Sequence, residues 1–233
     1  MYKNILLKIS GETLAGSGKF GFDFDVLNKL CKNIKKIHNK KVKISIVIGG
    51  GNFMRGSELS NGVLDRVTSD YMGMLGTVMN SMALQSNLEK LGVQTRVMTA
   101  LNINQIAEPY IKRKASRHLD KNRVVIFAAG TGNPYFSTDT AAVLRASEMK
   151  CEVILKATKV DGIYDKDPVK NKNAKKISKI TYNEFLNKEI KVMDATAISL
   201  AKDRGLPIVV FSMLDSSNIL KIIDLKGKYS IIN

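Results

Sequence analysis

Two lysines lie where short apolar runs meet turns. Lys8 interrupts the apolar run at residues 5–9, just before Ser10 and Gly11, and Lys156 directly follows the run at residues 153–155. A lysine in a buried strand is costly without a charged partner, because its charge leaves water. Two such cations suit phosphoryl transfer, in which charge on the transferring group must be neutralised. The alternative for either residue is an ordinary lysine that reaches solvent or an ion-pair partner.

Three glycine-rich turns each follow one of the apolar runs. They comprise residues 10–12, 49–52 and 130–133. Glycine allows backbone N–H groups to approach phosphate oxygens, and the N-terminus of a following helix adds positive potential. Ligands of open α/β sheets bind outside the carboxyl ends of the strands. One such turn only meets the needs of a tight connection, whereas three in succession favour an anionic ligand.

The familiar phosphate-binding signatures fail in this sequence. A Walker A motif is broken at Thr13 and at Phe20, which stand where glycine and Ser or Thr are required. The dinucleotide pattern G-x-G-x-x-G is broken at Met54 and at Tyr135. The H-R-D and D-F-G motifs of protein kinases are absent. These observations disfavour P-loop NTPases, dinucleotide oxidoreductases and protein kinases.

Composition excludes further classes. Cys31 and Cys151 are too few for a disulfide scaffold, and with His38 and His118 they show no metal-site spacing, so no metal site is predicted. No signal peptide and no membrane-length apolar run is visible, which predicts a cytoplasmic protein. The net charge of +16 has three interpretations: a lysine-rich surface, attraction of phosphorylated ligands, or nucleic-acid binding.

Apolar, β-branched runs alternate with segments of helical period. Strands are predicted at residues 5–9, 44–48, 94–98, 124–129, 153–155 and 208–211. Helices are predicted along the stripe that begins at Val26, from Met72 to about Leu91, after an N-cap at Thr138, after Asp194 through Ala201, and after Ser216 or Ser217 through Ile223. This alternation predicts an α/β fold with a mostly parallel sheet. The stripe of Met72, Leu75, Met79 and Met82 is predicted to fill the core, and residues 167–179 to form a loop or a boundary between lobes.

Segment 156–168 resembles the amino-acid-kinase superfamily, and within it the bacterial UMP kinases. Matching segments follow the family's order at residues 8–12, 47–56, 70–74, 129–134, 137–139, 156–168 and 191–194. The resemblance implies a three-layer αβα sandwich forming one domain over residues 1–233, with a UMP-binding half at about 1–150 and an ATP-binding half at about 151–233. It also implies transfer of the γ-phosphoryl group of ATP to UMP, giving UDP and ADP, in the synthesis of UTP and CTP.

The resemblance also implies roles for individual residues. Lys8 and Lys156 would clamp the transferring group, Asp139 would hold these lysines, and Asp194 would support the metal–phosphate site. UMP would contact Gly50, Asp70 through its ribose, Thr131, Gly132, Asn133, Pro134, Tyr135, Phe136, Ser137 and Thr138. ATP would contact Lys8, Ile9, Ser10, Gly11, Gly51, Arg55, Thr158, Tyr164 and Asp167. Activation by GTP would involve Gly16, Ser17, Gly18, Lys19, Phe20 and Gly21.

The family resemblance also implies ligands, regulators and an oligomeric state, and several alternative functions remain open. The resemblance implies Mg²⁺ carried with ATP, no organic cofactor, GTP as an activator, UTP as an inhibitor, and a homohexamer. Another member of the superfamily, acting on a carboxylate or carbamate, shares the two lysines and Asp139. A nucleic-acid-binding module would explain the charge but not the glycine turns. Asp70 and Asp194 are alternatively helix caps or first-turn acids, and residues 16–21 alternatively a flexible loop. Tyr164 is alternatively a packing aromatic, and Arg55 a surface arginine.

Overall fold

The computed structural model describes residues 1–18, 20–54, 64–168, 170–212, 218–224 and 226–233. Its strands are β1 (Asn4–Ile9), β2 (Lys43–Ile48), β3 (Thr95–Thr99), β4 (Glu108–Pro109), β5 (Val124–Ala128), β6 (Val153–Thr158), β7 (Ile163–Tyr164), β8 (Lys176–Ile177), β9 (Lys179–Ile180), β10 (Ile208–Ser212) and β11 (Ser230–Ile232). Its helices are α1 (Gly11–Leu14), α2 (Phe24–Asn39), α3 (Arg66–Lys90), α4 (Lys112–Asp120), α5 (Thr138–Glu148), α6 (Tyr182–Asn187), α7 (Ala195–Arg204) and α8 (Asn218–Ile223).

One sheet organises the described part of the chain. Its strands lie in the order β4-β3-β5-β2-β1-β6-β10-β11-β9, and each neighbouring pair is parallel except β10 with β11. β7 and β8 form a separate antiparallel pair. Because β1 is flanked by β2 and β6, the strands before residue 150 lie on one side of the β1–β6 junction and the later strands on the other.

Helices cover both faces of the sheet. Apolar side chains of α2, α3 and α8 pack in one core cluster with Ile5 and Leu7 of β1. Side chains of α4, α5, α6 and α7 pack in a second cluster with Leu6 of the same strand. Successive side chains of a strand point to opposite faces, which is why buried parallel strands are apolar almost throughout. The predicted three-layer αβα sandwich is therefore confirmed.

Helix starts differ from the predictions. α3 begins at Arg66, six residues earlier than the Met72 stripe suggests, because Asp65 accepts a hydrogen bond from the Thr68 N–H at 3.0 Å. The N-cap of α5 is Ser137 rather than Thr138, which is the first helical residue. Ser137 has the extended backbone that a cap needs, and its Oγ accepts the N–H groups of Asp139 and Thr140.

Three further features differ from the predictions: the end of α7, the stripe that begins at Met72, and residues 167–179. α7 follows Asp194 as predicted but runs past Ala201 to Arg204. Leu75, Met79 and Met82 are 40–47% exposed, so this stripe faces outward and the prediction of core filling is wrong. Within residues 167–179, Lys176–Ile177 is a strand paired with β7. The predicted cap at Ser216 or Ser217 lies outside the described residues.

Candidate active site

The two predicted lysines lie side by side. Lys8 of β1 and Lys156 of β6 are register partners, and both point to the sheet face that carries α5. The strand period dictates this, because Lys8 shares its face with Leu6 and Lys156 with Ile154. Only 8% of Lys8 and 6% of Lys156 is exposed. Two adjacent buried cations repel each other, so an anion must compensate them.

Asp139 supplies that anion from the first turn of α5. Its Oδ1 lies 2.7 Å from the Lys8 Nζ, and its Oδ2 accepts a hydrogen bond of 2.5 Å from the Lys156 Nζ. One carboxylate therefore bridges both ammonium groups. The Ser137 cap orients this turn, because its Oγ accepts the Asp139 N–H at 3.0 Å.

The pKa values follow from this arrangement. Burial acts to raise the pKa of Asp139, but the charges of Lys8 and Lys156 outweigh it and hold that pKa below its ordinary value. Burial, reinforced by the charge of Lys8, lowers the pKa of Lys156 to about 8, although Asp139 acts in the opposite direction. Lys156 is therefore protonated at pH 7 and loses its proton above about pH 8.

Glycine turns at the ends of β1 and β2 pack directly on each other. A Cβ on Gly11 would lie 2.5 Å from the carbonyl oxygen of Gly49, and a Cβ on Gly50 would lie 2.5 Å from that of Gly73 in α3. A side chain at either position would displace backbone. These glycines are thus required by packing, and the same packing brings residues 49–51 next to the end of β1.

A cavity of about 450 Å³ opens beside these turns. It is lined by Gly50, Gly51, Met54, Leu64, Arg66, Ser69, Asp70, Gly73, Met74, Thr77, Gly130, Phe136, Ser137 and Thr138. The lining combines backbone of two glycine turns, one face of α3 and the segment that leads into α5. Such a concave, partly polar cavity at the carboxyl ends of parallel strands is suited to a small ligand.

Asp70 links the α3 wall of the cavity to the segment before α5. The Arg66 Nε lies 3.0 Å from each of its carboxylate oxygens, and Oδ2 accepts the Tyr135 N–H at 2.7 Å. The Arg66 guanidinium also lies 5.8 Å from the centre of the Tyr135 ring. Asp70 lies in the second turn of α3, and its capping alternative is wrong because Asp65 occupies the cap.

Comparison with known proteins identifies the family. The chain matches the amino acid kinase family over residues 3–212. The chain belongs to the amino acid kinase family. It is 52% identical over 229 residues to the uridylate kinase of Roseobacter denitrificans, covering 98% of this chain and 95% of that protein. It is 49% identical over 231 residues to the uridylate kinase of Rickettsia prowazekii, covering 99% and 96% of the two chains.

Solved structures agree with this membership. The UMP kinase from Bacillus anthracis superposes with a TM-score of 0.96 at 39% identity, covering 100% of this chain and 96% of that one. The UMP kinase from Ureaplasma parvum gives a TM-score of 0.94 at 38% identity, covering 100% and 99%. The near-complete coverage means that the fold is shared over the whole chain.

Several residues predicted to bind ATP lie at the carboxyl ends of β1 and β6. Ile9 is wholly buried and its carbonyl accepts the Gly49 N–H at 2.9 Å, whereas Ser10 is half-buried. Thr158 ends β6, and its hydroxyl donates to the Val160 carbonyl at 2.7 Å. The Tyr164 hydroxyl donates to the Asp161 carboxylate at 2.6 Å, which raises the pKa of Tyr164.

Other predicted ATP contacts are more remote or undescribed. Asp167 is exposed beyond β7. Arg55 lies outside the described residues. The ATP contacts predicted at Asp167 and Arg55 therefore stay predictions.

Asp194 approaches the lysine cluster from α7. It occupies the N-cap position of that helix, but its side chain makes no capping hydrogen bond; instead it accepts one from the Ser137 hydroxyl. Its charge acts to raise the pKa of Lys156, which places an exposed carboxylate within electrostatic reach of the cluster. Asp194 is thus the N-cap residue of α7, as the capping alternative states, but its carboxylate accepts from Ser137 at the start of α5 and makes no capping hydrogen bond.

Predicted UMP contacts divide into two groups. Gly50, Asp70, Phe136, Ser137 and Thr138 line the cavity. The earlier part of the same loop is not among the lining residues: Thr131, Gly132, Asn133, Pro134 and Tyr135. Both glycines at the start of this loop have positive φ, +57° at Gly130 and +81° at Gly132.

Sequence reasoning missed much of the α3 wall. Arg66, Ser69, Gly73 and Thr77 line the cavity together with Asp70. Their spacing of three and four residues is that of one helix face, and it was the available signal. The apolar stripe on another face of α3 is the stronger periodic signal, so these small and polar side chains were not predicted to line a site.

The segment predicted to respond to GTP lies beside the second glycine turn. Gly16 and Gly21 have φ of +59° and +75°, and the exposed Phe20 contacts Phe53 edge-on with ring centres 5.5 Å apart. Ser17 and Gly18 are exposed, and Lys19 lies outside the described residues.

In the described ranges, no helix is long and apolar enough to cross a membrane.

Proposed function

We propose that this amino acid kinase transfers the γ-phosphoryl group of ATP to the phosphate of UMP, giving UDP and ADP. The observation that carries the proposal is the buried Lys8–Asp139–Lys156 cluster at the carboxyl ends of β1 and β6, beside a cavity of about 450 Å³. Uridylate kinases about half identical over nearly the whole chain support UMP as the acceptor.

The chemistry requires charge neutralisation more than proton transfer. A phosphate monoester has its second pKa near 6, so the UMP phosphate is an ionised nucleophile at pH 7 without a general base. One of its oxygens forms a bond to the γ-phosphorus while the bond from that phosphorus to the β–γ bridging oxygen breaks in line. Lys8 and Lys156 stabilise the negative charge of the transferring group, and Asp139 fixes their positions.

The cavity and the sheet suggest where each substrate binds. UMP occupies the cavity, with its phosphate toward the turn at residues 49–51 and its ribose at Asp70. ATP binds beyond the β1–β6 junction, over strands contributed by residues after 150. A single domain with a UMP-binding half at about 1–150 and an ATP-binding half at about 151–233 follows, and the two substrates meet at the lysine cluster.

Mg²⁺ enters as part of the ATP substrate. Mg²⁺ prefers oxygen ligands and is usually held by nucleotide phosphates plus one or two carboxylates. Asp194 fits this need, since it is exposed and within electrostatic reach of Lys156. It would hold the ion beside the transferring group, and the ion would supply further neutralisation of phosphate charge.

Assembly and regulation belong to the same proposal. Tyr71, Leu75, Met79 and Met82 of α3 are 40–47% exposed, and this apolar stripe would lie at a subunit interface of a homohexamer. Within residues 16–21, Gly21 donates its N–H to the Asn52 carbonyl of the second glycine turn at 3.0 Å, a position from which bound GTP could activate. UTP acts as an inhibitor, as expected for a cytoplasmic enzyme of pyrimidine nucleotide synthesis.

A coupled assay of ADP release tests the acceptor. UMP, CMP, AMP, acetylglutamate and aspartate are compared at saturating MgATP, and kcat/KM is expected to be highest for UMP. Higher kcat/KM with acetylglutamate or aspartate would favour a carboxylate kinase of the same family. No ADP release with any of them, together with RNA or DNA affinity that falls steeply with salt, would favour the nucleic-acid alternative.

A further inference from the structure

Two buried asparagines lie directly behind the second glycine turn. Asn52 follows the turn and is 1% exposed, and Asn80 lies in the middle of α3 and is 0% exposed. Neither lines the cavity, and neither has a role in the chemistry described above. A buried amide is costly unless its donors and acceptor are satisfied, so its presence requires an explanation.

The two amides are paired face to face. The Asn52 Nδ2 donates to the Asn80 Oδ1 at 2.9 Å, and the Asn80 Nδ2 donates to the Asn52 Oδ1 at 2.7 Å. The remaining N–H of each amide is also used, by the Gly21 carbonyl at 2.9 Å and the Gly49 carbonyl at 2.7 Å respectively. Because carbonyl oxygens accept only, both amides are held in one orientation.

The Gly49 carbonyl that accepts from Asn80 belongs to the second glycine turn, residues 49–52. Gly49 directly follows β2, and its own N–H donates to the Ile9 carbonyl at 2.9 Å. A Cβ placed on Gly11 would lie 2.5 Å from the Gly49 carbonyl oxygen and 2.7 Å from the Asn52 Oδ1. The amide pair therefore supports, from behind, the contact between the turns that follow β1 and β2.

From this geometry we infer that Asn52 and Asn80 are positioning residues, which set the backbone orientation of residues 49–51 toward the reacting phosphates. This inference rests on the proposed function. Without the Asn80 amide, the Gly49 carbonyl loses its side-chain donor, and without Asn52 the Asn80 amide loses its fixed orientation, so the position of the turn is less constrained. Misplacing catalytic groups by about 1 Å can cost on the order of a hundredfold in rate.

The test is steady-state kinetics on Asn52→Ala, Asn80→Ala and the double variant, at a temperature where circular dichroism shows each to be folded. We expect each single substitution to lower kcat/KM for UMP by about tenfold to a hundredfold. The double variant is expected to match the worse single variant, because the two amides act as one unit.

The matched control is Leu84→Ala, one helical turn beyond Asn80 and also 0% exposed. It removes core packing without touching the turn, so it should lower Tm while leaving kcat/KM near the wild-type value. If Asn80→Ala does not fold, Asn52→Ala carries the same comparison. Wild-type kcat/KM in the single variants, losses that multiply in the double variant, or an equal loss in Leu84→Ala would overturn the inference.

Different measurements test the proposed UMP kinase function and the positioning role of Asn52 and Asn80. Wild-type turnover with UMP tests the proposed function. The ratio of variant to wild-type kcat/KM, measured with whichever acceptor the wild type uses, tests the amide pair.

Discussion

Replacing Asp139 by Asn is the sharpest test of the lysine cluster. Its carboxylate lies within 2.7 Å of both ammonium groups and is 8% exposed. The substitution keeps the shape of the side chain but removes its charge, so Lys8 and Lys156 face each other uncompensated. Removing one partner of a buried ion pair typically costs about 3–5 kcal/mol of folding free energy, unless a group changes its protonation state.

Lys156 is the group expected to respond. Its pKa of about 8 already reflects burial and the charge of Lys8, with Asp139 opposing both. Removing Asp139 lowers that pKa further. Since activity needs the protonated lysine, kcat/KM falls as pH rises through this pKa. Losing an opposite charge at contact distance is expected to move this basic limb by about 1–3 pH units toward lower pH.

The assay is the pH dependence of kcat/KM for ATP at saturating UMP, from acidic to alkaline pH. Wild type is expected to lose activity above about pH 8, and Asp139→Asn is expected to lose it at lower pH. The maximal rate of Asp139→Asn is expected to fall by about a hundredfold or more relative to wild type. Asp224→Asn is the matched control, because it removes an equally close but solvent-exposed partner of Lys40. A basic limb at the wild-type pH in Asp139→Asn would refute the reasoning.

Three further predictions concern the clamp, the ribose and the metal. Lys8→Ala should fold, as judged by circular dichroism, yet lose about a hundredfold to a thousandfold in kcat, since one cation is missing in the transition state; near wild-type kcat would contradict the clamp. Asp70→Asn should lower kcat/KM for UMP about tenfold to a hundredfold and reduce the ratio of kcat/KM for UMP to that for dUMP, with little change in KM for ATP. Equal use of UMP and dUMP by the wild type would show that Asp70 does not bind the ribose. Excess EDTA should abolish turnover and added Mg²⁺ restore it, and full activity in EDTA would contradict a need for MgATP.

Much of the fold was predictable because its signals are local. The apolar runs at residues 5–9 and 124–129 became β1 and β5 within one residue at each end. α3 was misjudged at its start, because the Asp65 cap precedes the apolar stripe by a full turn or more. The outward face of the same helix was misjudged because periodicity shows that a stripe exists, not whether a core or solvent covers it.

The candidate site was partly predictable for the same reason. Lys8 and Lys156 stood out because each interrupts or ends an apolar strand, and Asp139 was assigned through family resemblance. Arg66, Ser69 and Thr77 were missed because their spacing places them on one helix face but does not show that a cavity lies beside that face. Whether a polar side chain faces a cavity depends on the neighbouring turn, which local pattern does not specify.

The sequence by itself determined six of the strands, five of the helices, where glycine allows tight turns, and that Lys8 shares a face of β1 with Leu6, since these follow from side-chain period and backbone sterics. The sequence did not predict β4, β7, β8, β9, β11, α1, α4 or α6. Only the tertiary structure decided that Lys8 lies opposite Lys156, that Asp139 bridges them, and that Asn52 pairs with Asn80. Those contacts join segments far apart in the chain. They depend on strand register and helix packing, which many weak interactions determine together.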